Sequence, residues 1–288
     1  MRALTRRDSS WWIYDYPSEF EGTDVTTYLT PIIVSRLEKA ATDNGFDQAL
    51  EREGDWLAFA STQCRLRVWL SALGDAVFLA GFSQENVARA LDDYGMSIAV
   101  PIPNGSVDGR TVSSVPALHR LLRRVFQLSK ALPNELLLTF EKQVAMLPKT
   151  TEAERLVVQR VGQNLFREGL LDLWEGRCAV TGLAVSALLR ASHIKPWADC
   201  ETDAERLDVY NGILLAPHLD AAFDRGFITV ADDGTIVVSD TLDADAGATL
   251  GLDRPLRVHG LANGHRAYLP WHRDRVFRTG ARGGGHTA

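Results

Sequence analysis

Between residues 178 and 226, a histidine, an asparagine–glycine step and a proline-led acidic segment follow one another at short intervals. That order constrains the fold more than any other part of the chain. Residues 184–191 are apolar and deliver Ser192-His193, and Pro196 then blocks helix continuation. His193 is therefore expected where a strand or loop leaves the core. Asn211-Gly212 signals a turn before the apolar run 213–215. Pro217 suits the first position of a helix that buries Leu219, Ala222 and Phe223 and stops at Gly226. Segments 227–230 and 235–238 flank Asp232-Asp233-Gly234, the pattern of a hairpin. Upstream, 177–182 reads as a strand ending at a glycine turn. Strand, strand, helix is the expected order.

At 288 residues, 45% hydrophobic and 24% charged, the chain has room for two ordinary globular domains. No apolar run approaches the ~18–20 residues of a membrane span. The start, with its charges and Trp11-Trp12, lacks a secretion signal, so a cytoplasmic location is expected. Cys64, Cys178 and Cys200 are too few and scattered for a disulfide framework, and no Cys-x-x-Cys pair offers a four-cysteine zinc site. The net charge of −6, with neither half basic, means that nucleic-acid affinity must come from local patches.

The N-terminal half, 1–150, reads as α+β. Helices are expected over 32–46, 84–94 and 115–132, and strands over 56–60, 65–70, 76–80 and 97–102. Residues 147–151 are the best linker, and Thr151 with Glu154 forms a capping-box pattern ahead of a helix to Leu173. The second domain spans 151–280, and the glycine-rich tail 281–288 is expected to be disordered.

The residues of 178–226 resemble the HNH family of metal-dependent nucleases, in the branch found in bacterial restriction-type proteins. The resemblance covers about 155–280 and implies a ββα-metal core, here with an added helix and C-terminal strands. It implies that His193 is the general base and that Asn211 shapes the turn and orients it. The ligands of the ion are expected to be His218 and Asp220, supported by Asp224 and by Ser192, which stands where many relatives carry aspartate. Residues 218 and 220 diverge by roughly 200° on a regular helix, so both grip one ion only if the helix is just beginning. Asp220 and Asp224, at i and i+4, share a face. One divalent ion is implied, Mg²⁺ or Mn²⁺ foremost, with a later transition metal also open. Phosphate contacts are expected from Lys195, Arg190 and Arg225, with Arg160 and Arg167 evenly weighed between phosphate binding and a solvated face. Trp197 is expected to pack, and the 254–278 stretch, with His259, His265 and His272, to pack on the nuclease core or touch backbone phosphate rather than bind metal.

By analogy with restriction-type relatives, the first half would recognise target or modified DNA, or a defence signal. Aromatics 56, 59, 69, 78 and 82, with Arg65 and Arg67, are candidates for a base pocket, although a sheet with one polar face is the simpler reading. The leading function is a DNA endonuclease of restriction or phage defence, acting away from membranes. RNA stands beside DNA as a substrate because the motif does not distinguish sugars, and cleavage of two strands favours a homodimer. A nucleic-acid-binding or sensing protein with a degenerate nuclease core is the reading from a different class, and an RNase or general nuclease toxin is a third.

Overall fold

A computed structural model describes residues 29–91, 94–132, 135–147 and 151–280. The aromatic stretch at 11–20, part of the 84–94 helix, the linker positions 148–150 and the tail 281–288 lie outside the described residues. The chain is an α+β protein whose first half is built on one antiparallel sheet. Its elements are α1 (Pro31–Asp43), β1 (Gln48–Ala49), β2 (Leu57–Ala60), β3 (Val68–Leu73), β4 (Val77–Phe82), α2 (Glu85–Arg89), β5 (Met96–Ser97), β6 (Asp108–Val112) and α3 (Val115–Ala131). The sheet order is β1-β2-β3-β4-β6-β5. Thr30 and Ser114 start α1 and α3 by accepting the amides of Ile33 and Ala117, and a proline occupies the first turn of each.

Strand alternation decides what the aromatics do. Phe59, Phe78 and Phe82 enter the core beneath α1 and α3, while Trp56 and Trp69 pack with Ala58 and Leu79 in a separate cluster. All five rings are therefore packed. Arg65 and Arg67 are exposed just ahead of β3, whereas Leu66 and Val68 are buried, but β3 and β4 are buried on both faces, so the sheet lacks the one polar face expected of it. Two further sequence expectations change here. The strand placed at 97–102 is replaced by the two-residue β5, which shares only Ser97 with it, and its partner β6 was not expected because Asp, Gly and Arg make up three of its five residues.

The second half adds α4 (Glu135–Val144), α5 (Glu152–Leu173), β7 (Arg190–His193), α6 (Asp203–Leu207), β8 (Gly212–Leu215), α7 (Pro217–Asp224), β9 (Ile228–Val230), β10 (Ile236–Val238), α8 (Ala244–Thr249) and α9 (Leu269–Arg275). Both halves of the Thr151–Glu154 capping box form. The helix α4, not expected from sequence, places Leu136, Phe140 and Val144 in the second core, so core membership passes over near 131–136. The anticipated strand at 177–182 is instead a turn, in which buried Cys178 uses its sulfur to accept the amides of Thr181 and Ala216. The expected order of strand, strand and helix is present as β7, β8 and α7, and the 227–238 hairpin as β9–β10.

Gly212 corrects the turn reading at 211–212. Its backbone is extended and opens β8, so no positive φ calls for glycine there. Space does: a Cβ would lie 2.3 Å from Cζ of Phe166 and 3.0 Å from Leu170. Gly212→Ala is therefore expected to destabilise the fold by about 1–3 kcal/mol through overpacking. A urea midpoint unchanged from wild type would contradict that packing.

Candidate active site

The ribbon β7–β8 is two-stranded, with Ser192 opposite Ile213 and His193 opposite Gly212. Successive side chains face opposite sides of a strand. His193 and Gly212 face α5, where Phe166 lies, and Ser192 faces α7, where its hydroxyl donates to Asp220 Oδ1. A cleft of about 340 Å³ runs along the ribbon, bordered by Ser192, His193, Trp197, Asp224, His272 and Val276.

His193 is held on three sides. Its ring stacks on Phe166, with centroids 3.7 Å apart and planes 16° from parallel, and meets the edge of Trp197 at 5.7 Å and 89°. Nε2 lies 3.0 Å from the carbonyl of Arg206. A carbonyl accepts only, so Nε2 carries the proton and Nδ1 carries the lone pair. Among the described residues Nδ1 has no hydrogen-bond partner, and it is not among the buried unpartnered atoms. Burial depresses the imidazole pKa to about 4, against a smaller upward pull from the Arg206 carbonyl. The ring is neutral at pH 7.

Asn211 is fully buried and spends its side chain on the loop between the two strands. Its Oδ1 accepts the Lys195 amide, and Nδ2 donates to the carbonyls of Lys195 and Glu205 and to Cys200 Sγ. The Arg206 side chain ties the same loop by donating to the carbonyls of Trp197 and Cys200. The loop so fixed carries the Arg206 carbonyl that holds His193. Asn211 therefore acts on the histidine through the backbone, without touching its ring.

The structure does not bring His218 and Asp220 together. The helix α7 is already regular from Pro217, so these side chains diverge. His218 borders a different cleft, with Thr181, Leu250 and Arg254. Asp220 and Asp224 do share a face: burial, then the charge of Asp220, push the Asp224 carboxyl up to about 6, with Arg225 opposing. Ser192, bonded to Asp220, joins them. Among the described residues no group of three His, Cys, Asp or Glu side chains converges. Two carboxylates, Asp220 and the Asp224 whose ionisation the Asp220 charge opposes, form an all-oxygen donor set beside one hydroxyl. That set fits a hard cation such as Mg²⁺ or Mn²⁺ that keeps several waters, and it offers no imidazole to a later transition metal.

The expected phosphate contacts divide. Lys195 is occupied, its ammonium 3.1 Å from both oxygens of Glu205 and raised in pKa chiefly by that hydrogen bond. Arg167 is occupied too, donating to the carbonyls of Leu189 and Ser186. Arg190 and Arg225 are exposed and make no hydrogen bond or ion pair among the described residues, and Arg160 is likewise exposed. Trp197 packs against α5, where a Cβ on Gly162 would come within 2.5 Å of its ring. Of the later histidines, His259 is exposed and His265 is buried between Trp174 and Tyr210. His272 borders the cleft but has both nitrogens engaged, with Thr229 and the Phe223 carbonyl.

Two contributors escaped the sequence reading, and a third, His272, was expected to pack but not to border the cleft. Phe166 was one apolar position among many on an amphipathic helix. Arg206 acts through its carbonyl, which every residue has. His272 comes from a helix more than fifty residues along the chain from β8, and no local spacing could place it beside the cleft.

Residues 178–231 match the family model described as HNH endonuclease. A solved structure described as a modification dependent TagI restriction endonuclease is similar at 22% identity, over 40% of this chain and 39% of that one, with a TM-score of 0.27. The match thus spans about two fifths of that protein's length. No curated protein matches the chain.

Proposed function

We propose, from the premise that residues 178–231 belong to the HNH endonuclease family, that this protein uses a divalent cation to hydrolyse DNA phosphodiester bonds in restriction or phage defence. The observation that carries this reading is the unpartnered Nδ1 of a neutral, immobilised His193 bordering the same cleft as Asp224. Nδ1 would accept a proton from water as the water oxygen forms its bond to phosphorus. The P–O bond to the departing sugar oxygen then breaks, and that oxygen takes up a proton from solvent. A phosphate arriving in the cleft would bring negative charge and raise the proton affinity of the imidazole, the direction a base needs. Asp220 and Asp224 would hold the cation, with Ser192 keeping Asp220 in place. The cation would supply Lewis-acid relief of the charge that develops on the phosphate oxygens. Arg190 and Arg225, exposed and next in sequence to the cleft-lining Ala191 and Asp224, would contact the backbone on either side.

On this reading the first half recognises target or modified DNA, though none of its packed aromatics offers itself as a base pocket. No described helix is long and apolar enough to cross a membrane, and a cytoplasmic placement would bring the enzyme to DNA. Cutting both strands would draw on a second copy of the chain.

Supercoiled plasmid and a folded RNA, each incubated with the protein and Mg²⁺ or Mn²⁺, test the reading. Plasmid relaxation is expected, with return to the rate without protein once EDTA is added. Cleavage of RNA alone would replace DNA by RNA as the substrate. Tight binding without cleavage of either would favour a sensor, the alternative to which Ser192 in place of an aspartate lends support.

A further inference from the structure

The helix α5 lies outside the family segment, yet one of its side chains touches the proposed base more closely than any other ring does. We infer that Phe166 is a positioning residue for the reaction: its ring fixes the plane of the His193 imidazole so that Nδ1 stays turned to the cleft. The inference rests on the nuclease reading and goes beyond it, because it places part of the catalytic apparatus on a helix that the family segment lacks.

A single hydrogen bond from Nε2 to the Arg206 carbonyl anchors one atom of the imidazole and leaves the ring free to pivot about that bond. The two aromatic contacts remove this freedom from perpendicular directions, with Phe166 flat on one face at 3.7 Å and Trp197 at the edge. A base that pivots loses the alignment with attacking water that proton transfer requires. Phe166 is itself immobile. It is 1% exposed, and its ring fills the space that any side chain at position 212 would need. The sequence therefore holds a matched set: glycine on β8 admits the phenyl ring, and the ring presses on the histidine across the strand pair. His272 stacks on Phe223 in the same way, at 3.8 Å and 8°, but both of its nitrogens are bonded. The stack at His193 differs in leaving one nitrogen open.

The role is separable from plain packing. Phe166→Leu keeps an apolar side chain but removes the flat face, and Phe166→Leu combined with Gly212→Ala refills the vacated space without restoring it. Two readouts apply: steady-state cleavage, and the proton resonances of the His193 ring by NMR. In the wild type the ring current of Phe166 is expected to move those resonances upfield, and in both variants that shift is lost. We expect kcat to fall at least tenfold in Phe166→Leu with KM within threefold. The double variant should regain thermal stability but not kcat. Recovery of kcat in the double variant would make Phe166 a space-filler and overturn the inference. So would a wild-type spectrum without the upfield shift, or a Phe166→Leu protein that turns over within twofold of wild type. If the wild type cleaves nothing, the nuclease reading fails and the inference falls with it, visibly for that reason because the NMR result is independent of turnover.

Discussion

His193→Ala is expected to lower kcat for plasmid cleavage by about 10²–10⁴-fold, the range for loss of a positioned general base. The loss should be near the upper end because no second imidazole can substitute. His272 borders the same cleft, but one nitrogen is committed to Thr229 and the other to the Phe223 carbonyl. His265 has an unpartnered Nε2, but it is fully buried between two aromatic rings and is absent from the cleft wall. His218 opens onto another cleft. DNA affinity, read by fluorescence anisotropy in Ca²⁺, should change little, since the imidazole is neutral and contributes no charge to phosphate binding. Removing the ring leaves the Arg206 carbonyl without its donor and Phe166 without its stacking partner, so some stability is also lost. Thermal melting beside the activity assay separates that loss from chemistry. A variant that cleaves at the wild-type rate, in a preparation free of other nucleases, would remove His193 from the mechanism.

Much of this site was legible before any coordinates. Pro196 ending the apolar run, Pro217 starting a helix and Gly226 stopping it are local rules, and they place β7, β8 and α7. The i, i+4 relation of Asp220 and Asp224 was equally readable. What misled was the assumption that α7 would still be irregular at His218; proline at the first position makes it regular at once. Asn211-Gly212 looked like a turn because those two residues favour turns. In the structure the asparagine is consumed by long-range loop bonds, and the glycine answers to Phe166, some forty-six residues earlier in the numbering. Sequence patterns report local conformation and one buried face. They do not report which ring meets which strand. In the first half, the strands of the hairpins were readable from apolar runs, whereas β6, with Asp, Gly and Arg among its five residues, is a strand by pairing alone.

Asp224→Asn should move stability and activity in opposite directions, a signature that a merely structural carboxylate would not give. In the folded protein burial and the charge of Asp220 lift the Asp224 pKa from its ordinary value of 3.8 to about 6. A carboxyl whose folded pKa exceeds its unfolded one binds its proton more tightly in the native state. Its contribution therefore favours the fold below pH 4, weakens as pH rises from about 4 to 6, and is a net cost at neutral pH. Asp224 is only partly buried at the cleft, so solvent screening reduces that cost to about 1 kcal/mol or less. Asparagine removes the charge and should raise the melting temperature at pH 7, with the gain disappearing when melts are repeated at pH 4. Activity should go the other way. With one carboxylate of the pair gone, the Mg²⁺ concentration for half-maximal cleavage is expected to rise by about 10–100-fold or more, as losses around metal ligands do. Asp220→Asn differs, because Asp220 is tied to the Ser192 hydroxyl and the substitution alters that bond as well. An Asp224→Asn protein that is stabilised at pH 7 yet needs no additional Mg²⁺ would take Asp224 out of the cation site, leaving Asp220 and Ser192 too few to hold one.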